Sequence, residues 1–190
     1  KEISGKVMTV FHKLTHLVEP LSLDEAYLDI SRQVPKDLIE EVARGIRINV
    51  REKIGLTITV GGGTSKTVAK IASQLAKPDG LLLVRVGEER HFLDPLSVAM
   101  IWGVGPKTAG VLKRYGVATI GDLGNKERSW VVKILGKRGH ELRERALGRD
   151  QDKVEPLRDT KSISSEITLS TDIGDPNFLE SKLNELSIQV

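Results

Sequence analysis

Two adjacent carboxylates, Asp24 and Glu25, are the residues of this sequence with the clearest chemical potential. They stand in the segment SLDEAYLDIS, whose other residues favour a β-strand. Neighbouring residues of a regular strand point to opposite faces, so both carboxylates can reach one metal ion only where the backbone turns or bulges. Such a pair suits a hard divalent cation, which takes oxygen ligands and can assist chemistry at a phosphorus centre. A solvated turn without a ligand is the alternative interpretation.

Three lysines, Lys66, Lys70 and Lys77, are predicted to share one face of a helix over residues 64–76 and its end. At 100° per residue they fall within about 40° of one another, while the apolar residues lie on the opposite side. The sequence KPDG then reverses the chain directly beside Lys77. This cationic face could bind phosphate groups or could simply be solvated. The glycines at 61–63 match no phosphate-binding loop.

Two glycine turns in basic surroundings predict a helix-hairpin-helix arrangement. The first lies in WGVGPKTAGVLKRYG, which turns at Gly103, Val104 and Gly105 and enters a helix at Pro106. Backbone N–H groups at such a turn can hold a phosphate oxygen without reading a base. The second turn, LGKRG, precedes the arginine-rich helix HELRERALG. Two ordinary helical turns without a ligand are the alternative.

The basic charge of the chain is concentrated around these two turns. The net charge is +3, but residues 101–150 hold 11 Lys or Arg against 5 Asp or Glu, which leaves the rest of the chain at −3. A local basic excess favours a polyanionic partner, although many basic helices are only solvated faces.

Composition excludes several classes of protein. Hydrophobic residues make up 39% and charged residues 29%, as in ordinary globular chains. Because there is no cysteine, a disulfide framework and a thiolate zinc site are excluded, and an intracellular compartment is expected. No apolar run reaches the roughly 18 residues of a membrane span, and KEISGKVMTV lacks the apolar core of a signal peptide. The four histidines show no metal-ligand spacing, and Trp102 and Trp130 are interpreted as core residues.

The elements that must position the candidate residues alternate between strands and helices at first. This alternation predicts an α/β layer. Its elements are a helix at the N-terminus, a hairpin of LVEPLSL and EAYLDIS, a helix after Pro35, and the strands LTITV and GLLLVRV around the lysine-bearing helix. From about Glu88 short helices replace the strands. Beyond Asp150 the polar RDQDKVEPLRDTK is typical of a linker, SISSEITLSTDI predicts a strand, and FLESKLNELSIQV predicts a helix.

Together these motifs resemble those of the Y-family (translesion) DNA polymerases, most closely the DNA polymerase IV type. SLDEAYLDIS resembles the family's palm motif, AKIASQLAKPDG its nucleotide-phosphate segment, IWGVGPKTAGVL and LGKRGHELRERALG its thumb, and KSISSEITL the start of its little finger. The resemblance implies an α/β palm, a partial ferredoxin-like sheet with helices, at 1–86. It then implies a small all-α thumb with helix-hairpin-helix turns at 87–150, a linker at 151–160, and the first elements of a third α/β domain, the little finger, at 161–190.

The resemblance also implies a reaction, in which a primer 3′-hydroxyl attacks the α-phosphate of an incoming nucleotide with the help of two magnesium ions. Asp24 is implied as a metal ligand and Glu25 as a catalytic carboxylate that also serves the metal near the primer terminus. Lys77 is implied to bind the triphosphate. The residues implied to contact DNA are Gly103, Val104, Gly105, Lys107, Thr108, Lys137, Lys161 and Ser162.

The implied partners are primer–template DNA and a deoxynucleoside triphosphate. The implied location is the cytoplasm, with no membrane partner. A sliding clamp would bind through a region that these residues do not contain. The family's first metal-binding aspartate and its fingers have no counterpart here, so we expect the 190-residue chain alone not to polymerise. A non-catalytic helix-hairpin-helix DNA-binding module is the alternative. A nucleotide cyclase shares the paired-metal chemistry, but the two glycine turns have no place in one.

Overall fold

The computed structural model of the protein describes residues 1–156 and 162–190. The chain forms two compact units, Lys1–Pro156 and Leu157–Val190. The strands of the first unit are β1 (Val18–Pro20), β2 (Ala26–Leu28), β3 (Val60–Gly62) and β4 (Leu81–Leu83). Its α-helices are α1 (Glu2–His12), α2 (Ile39–Ile54), α3 (Lys66–Leu75), α4 (Glu89–Leu93), α5 (Pro106–Arg114), α6 (Ile120–Gly124), α7 (Arg128–Leu135) and α8 (Arg138–Ala146). The second unit contains α9 (Pro176–Ile188).

Strands β1 and β2 form the antiparallel hairpin that the sequence predicts. Val18 pairs with Leu28 and Pro20 with Ala26, so residues 21–25 make the turn. The backbone N–H groups of Leu21 and Ser22 donate to the carbonyl of Glu25 and close the turn. The adjacent carboxylates therefore lie at the tip of a hairpin, where the backbone no longer alternates.

The glycine run shapes the contact between β3 and α3. The predicted strand LTITV is paired only from Val60, and β3 continues into the glycines and runs parallel to β4. A Cβ atom at Gly61 would overlap with the backbone of Ala69 and Ser73 in α3. Glycine at this position lets the helix lie directly on the sheet, so the run serves packing.

Helix α3 separates a buried face from a polar one. It begins after Ser65, whose hydroxyl accepts from the backbone N–H of Val68 at 3.3 Å, and is therefore slightly shorter than predicted. Val68 and Ile71 are buried in one continuous hydrophobic core with residues of the helices that follow, among them Leu93. The boundary expected between residues 86 and 87 stays a prediction.

The residues from 89 to 146 form short helices, as predicted. In α6 the hydroxyl of Thr119 accepts from the backbone of Asp122, and the Asp122 carboxylate accepts from the backbone of Thr119, a capping box that fixes the first turn. Trp130 is half-buried against the core and meets Tyr115 edge to face. Trp102 is 64% exposed, so its interpretation as a core residue is wrong. It lies where the chain leaves the core to make the first glycine turn.

In the second unit the predicted helix is confirmed and the predicted strand is not. Helix α9 begins after Asp175, whose side chain accepts from the backbone of Asn177, with Pro176 in the first turn. The stretch 162–173 belongs to no strand in the described structure, and Ile163 and Ile167 are exposed. Alternating residues suit a strand, but a strand also needs a paired neighbour. Among the described residues no helix is long and apolar enough to cross a membrane.

Candidate active site and nucleic-acid interface

Asp24 and Glu25 are both exposed at the tip of the β1–β2 hairpin. The hydroxyl of Ser22 donates to Asp24 Oδ1 at 2.5 Å. This hydrogen bond lowers the pKa of Asp24, and the positive charges of Lys77 and Lys70 lower it further. Asp24 is therefore an ionised, accessible carboxylate at neutral pH.

The lysine face of α3 is directed at the hairpin. Lys66 Nζ lies 2.5 Å from Glu19 Oε2, and Lys70 Nζ lies 3.0 Å from Glu25 Oε2. A merely solvated lysine face would not make these cross-element ion pairs. The cationic face and the carboxylates thus form one site, in which basic and acidic groups are neighbours.

Glu19 and Tyr27 lie opposite each other in the β1–β2 ladder, beneath the two tip carboxylates. Lys66 Nζ lies 5.4 Å from the centre of the Tyr27 ring. Burial raises the pKa of Tyr27 to about 12, and the negative charges of Asp150, Glu19 and Glu25 add to the rise. Tyr27 therefore remains a neutral phenol next to the site.

The polar segment after α8 returns to the hairpin and to α3. Asp150 Oδ2 accepts from the backbone N–H of Thr67, in the first turn of α3, at 3.1 Å. The backbone N–H of Glu155 donates to Glu19 Oε2 at 2.8 Å. We call residues 150–155 the anchor segment. The sequence indicated only a polar linker here, because its partners are far away along the chain.

The donor set at the hairpin tip partly fits a metal ion. Asp24 and Glu25 offer exposed carboxylate oxygens, the ligand type that Mg²⁺ prefers. Among the residues that the structure describes, however, no group of three or more His, Cys, Asp or Glu side chains is placed to hold a metal. The two carboxylates therefore supply part of a coordination shell, and Lys70 competes for one of them.

The first glycine turn contains a left-handed glycine and leads directly into α5. Gly103 has φ +98°, a conformation that residues with a side chain rarely adopt. Val104 is buried and its N–H donates to Ile101 O, while Gly105 precedes α5. Since the first N–H groups of a helix have no intrahelical acceptor, the start of α5 can bind an anion. The side chains at this helix start that the sequence singled out are the exposed Lys107 and the half-buried Thr108.

The second glycine turn joins α7 to α8. Gly136 has φ +70°, and the exposed Lys137 immediately precedes α8. A Cβ atom at Gly139 would overlap with the carbonyl of Val131, so the two helices approach at van der Waals distance. Both sequence-predicted turns are therefore present, the second between two α-helices and the first between a short 3₁₀ helix, Val98–Met100, and α5.

Arg145 of α8 links the two turns. Its Nη1 donates to Trp102 O at 3.1 Å, and its guanidinium lies 5.2 Å from the centre of the indole ring. The first turn, beginning at Gly103, therefore packs on the helix that follows the second. Sequence reasoning missed this pair, since no local pattern connects residues 43 positions apart.

Two of the residues proposed to contact DNA belong to the second unit. Ser162 is exposed and outside any helix or strand. Lys161 lies outside the described residues. Both assignments stay predictions.

Comparison with known proteins finds two family models that match successive stretches of the chain. The model of the impB/mucB/samB family matches residues 1–74, and that of the IMS family HHH motif matches residues 86–117. A DNA polymerase IV from Streptomyces coelicolor is 44% identical over 181 residues, which are 92% of this chain and 37% of that protein.

Solved structures agree as well. DinB from Sulfolobus solfataricus matches with a TM-score of 0.74 and 32% identity over 82% of this chain and 46% of that one. A Y-family DNA polymerase chimera matches with a TM-score of 0.84 and 30% identity over 100% of this chain and 57% of that one.

The two family models and the solved structures show that the chain belongs to the Y family of DNA polymerases. Within the family it is similar to proteins of the DNA polymerase IV type. The chain spans 37% to 53% of the length of such relatives.

Proposed function

We propose that this chain forms the palm, the thumb and the start of the little finger of an error-prone, DNA polymerase IV-type enzyme that performs template-directed DNA synthesis. The observation that carries the proposal is the apposition of the α3 lysines and the carboxylates of the β1–β2 tip. Phosphoryl transfer needs both cation-binding and phosphate-binding groups at one place. The likeness to DNA polymerase IV proteins supports the same assignment.

Asp24 and Glu25 would hold magnesium, two ions in the complete site. Bound magnesium would neutralise charge on the phosphate oxygens and favour ionisation of the primer hydroxyl. Ser22 keeps Asp24 ionised through its hydrogen bond, and Lys70 holds Glu25 at the hairpin tip. The Ser22 contact therefore favours a cation at Asp24, whereas a cation at Glu25 would have to displace Lys70.

Lys77 would bind the triphosphate of the incoming nucleotide. It is exposed at the end of α3, and its charge is felt by Asp24, so it stands at the edge of the carboxylate site. Its ammonium offers a compact positive charge with three donors, which suits phosphate oxygens.

The thumb would hold the duplex through its phosphates. The turn Gly103–Val104–Gly105 would lie against the duplex and offer the backbone N–H groups of its two glycines, since that of Val104 already donates to Ile101 O. Lys107, Thr108 and Lys137 would add side-chain contacts, and Lys161 and Ser162 would contribute beyond the thumb. Such contacts fix position without reading sequence, so the template would choose the nucleotide by base pairing. The partners would be primer–template DNA and a deoxynucleoside triphosphate in the cytoplasm, with a sliding clamp bound through another region.

Primer extension by the full-length protein tests the proposal. Asp24→Ala should lower extension by at least about a hundredfold, because it removes a metal ligand. The affinity for duplex DNA should stay within about twofold, since the thumb is untouched. Asp37→Ala, an exposed acid after Pro35, is the matched control and should extend normally.

Extension by Asp24→Ala at the wild-type rate would refute the metal assignment. Duplex binding without any extension by the wild-type enzyme would favour the non-catalytic DNA-binding module.

A further inference from the structure

One guanidinium joins the Lys77 turn to the rest of the first unit. Arg47 of α2 donates from Nη2 to the Asp79 backbone carbonyl and, at 2.8 Å, to Asp79 Oδ1. Its Nε donates to Ile58 O at 3.2 Å. A single side chain thus connects α2, the segment that leads into β3, and the turn of residues 77–80.

That turn has a conformation that needs support. Asp79 has φ +48°, in the left-handed region that is uncommon for a residue with a side chain, although aspartate enters it more readily than most. On the far side Gly80 is fixed, because its carbonyl accepts from Val60 N at 3.0 Å and a Cβ would overlap with Ala76. The Arg47 contacts fix the turn at its centre.

The neighbouring arginines of α2 are placed differently. The Arg47 side chain is 21% exposed, whereas those of Arg44 and Arg51 are 61% and 67% exposed. Arg44 pairs with Glu40 on its own helix, and Arg51 reaches Asp79 only at 3.6 Å. Exposed pairs of this kind contribute little, so Arg47 is the residue that determines the shape of the turn.

We propose that Arg47 is a positioning residue for nucleotide binding, which acts through Asp79 to hold the turn that begins at Lys77. The inference rests on the proposed function, because it requires Lys77 to bind the triphosphate. The role calls for a guanidinium. Its planar fork reaches the Ile58 and Asp79 acceptors together, while a lysine ammonium would be a single point of attachment.

Single-nucleotide incorporation by the full-length protein tests the inference. Arg47→Lys should raise the KM for the nucleotide about tenfold, the effect of losing a charge-assisted hydrogen bond. The kcat at saturating nucleotide should stay within about twofold, because the carboxylates are unchanged. Arg44→Ala, on the same helix, is the control and should behave as wild type.

A double-mutant cycle separates positioning from general stability. If Arg47 acts through Lys77, Arg47→Lys should change KM by less than about twofold when Lys77→Ala is already present. Additive effects would overturn the inference, and so would an unchanged KM or a loss confined to kcat. Asp79→Asn keeps the contact to the Asp79 backbone carbonyl and removes the ion pair, so it should also raise the KM for the nucleotide. This variant tests the inference if the Arg47→Lys protein does not fold.

Failure of the proposed function would look different. In that case the wild-type enzyme itself would not extend a primer, and the inference would be rejected with it. An active wild type whose KM ignores both Arg47 and Asp79 would reject the inference alone.

Discussion

Glu19 of β1 and Lys66 of α3 form an ion pair that is almost withdrawn from water, with 2.5 Å between Oε2 and Nζ and side chains 1% and 14% exposed. The same carboxylate oxygen accepts the backbone N–H of Glu155. A buried charge is tolerated when it is paired and hydrogen-bonded. The hairpin, the helix and the anchor segment therefore depend on one another through a single carboxylate.

Glu19→Ala should lower the free energy of unfolding by about 3–5 kcal/mol, because it leaves Lys66 as an uncompensated buried charge. Urea denaturation of the 190-residue chain at neutral pH measures this. Glu40→Ala breaks the exposed pair with Arg44 and should cost less than about 1 kcal/mol. Equal losses in the two variants would show that burial of the Glu19 pair has no special effect.

Stability at alkaline pH should depend on Tyr27. Its pKa in the folded protein is about 12, while an unfolded tyrosine ionises near pH 10. Between these values the unfolded chain loses the proton first, so the free energy of unfolding should fall as pH rises from about 10 to 12. Tyr27→Phe should flatten this part of the curve, and absorbance titration should show one of the two tyrosines ionising late. An equally steep fall in Tyr27→Phe would contradict the prediction.

Gly61→Ala should destabilise the protein by at least about 3 kcal/mol, because the new Cβ meets the backbone of α3, which cannot move aside cheaply. Thermal melting monitored by circular dichroism would show the effect. Gly110→Ala is the matched control, since it lies in α5 with no atom within 4 Å of the added Cβ. It should be neutral or stabilising by up to about 1 kcal/mol. A similar loss in both variants would argue against close packing at Gly61.

Binding of duplex DNA to the chain should weaken steeply with salt and depend little on base sequence, because the proposed contacts of the glycine turns are to phosphates. Lys107→Ala should reduce the slope of log K against log salt by about 0.9, the value for one phosphate contact. Fluorescence anisotropy with two unrelated duplexes measures both properties. Lys6→Ala, on α1 and paired with Glu2, should leave the slope unchanged. Strong preference for one duplex would contradict the assignment.

Local sequence patterns predicted the parts of the site that depend on neighbouring residues. Two β-type runs around Asp24 and Glu25 predicted a hairpin tip, and helical spacing predicted the lysine face. The pairs Glu19–Lys66 and Arg47–Asp79 could not be predicted, because their members are 47 and 32 residues apart and meet only through the fold. The strand expected at 162–173 failed for a related reason, since alternation cannot show whether a pairing partner is present.

Helix α3 contributes one face to the lysine-bearing side of the candidate site and the opposite face to the hydrophobic core. Its outer face carries Lys66 and Lys70, and its inner face, with Val68 and Ile71, is part of the same core as the helices that carry the glycine turns. Swinging those helices away from α3 would bring core side chains into water, a motion that the hydrophobic effect opposes. The proposed DNA-binding turns and the lysine face should therefore move together as one rigid body. A hinge that releases the duplex would have to lie outside this shared hydrophobic core.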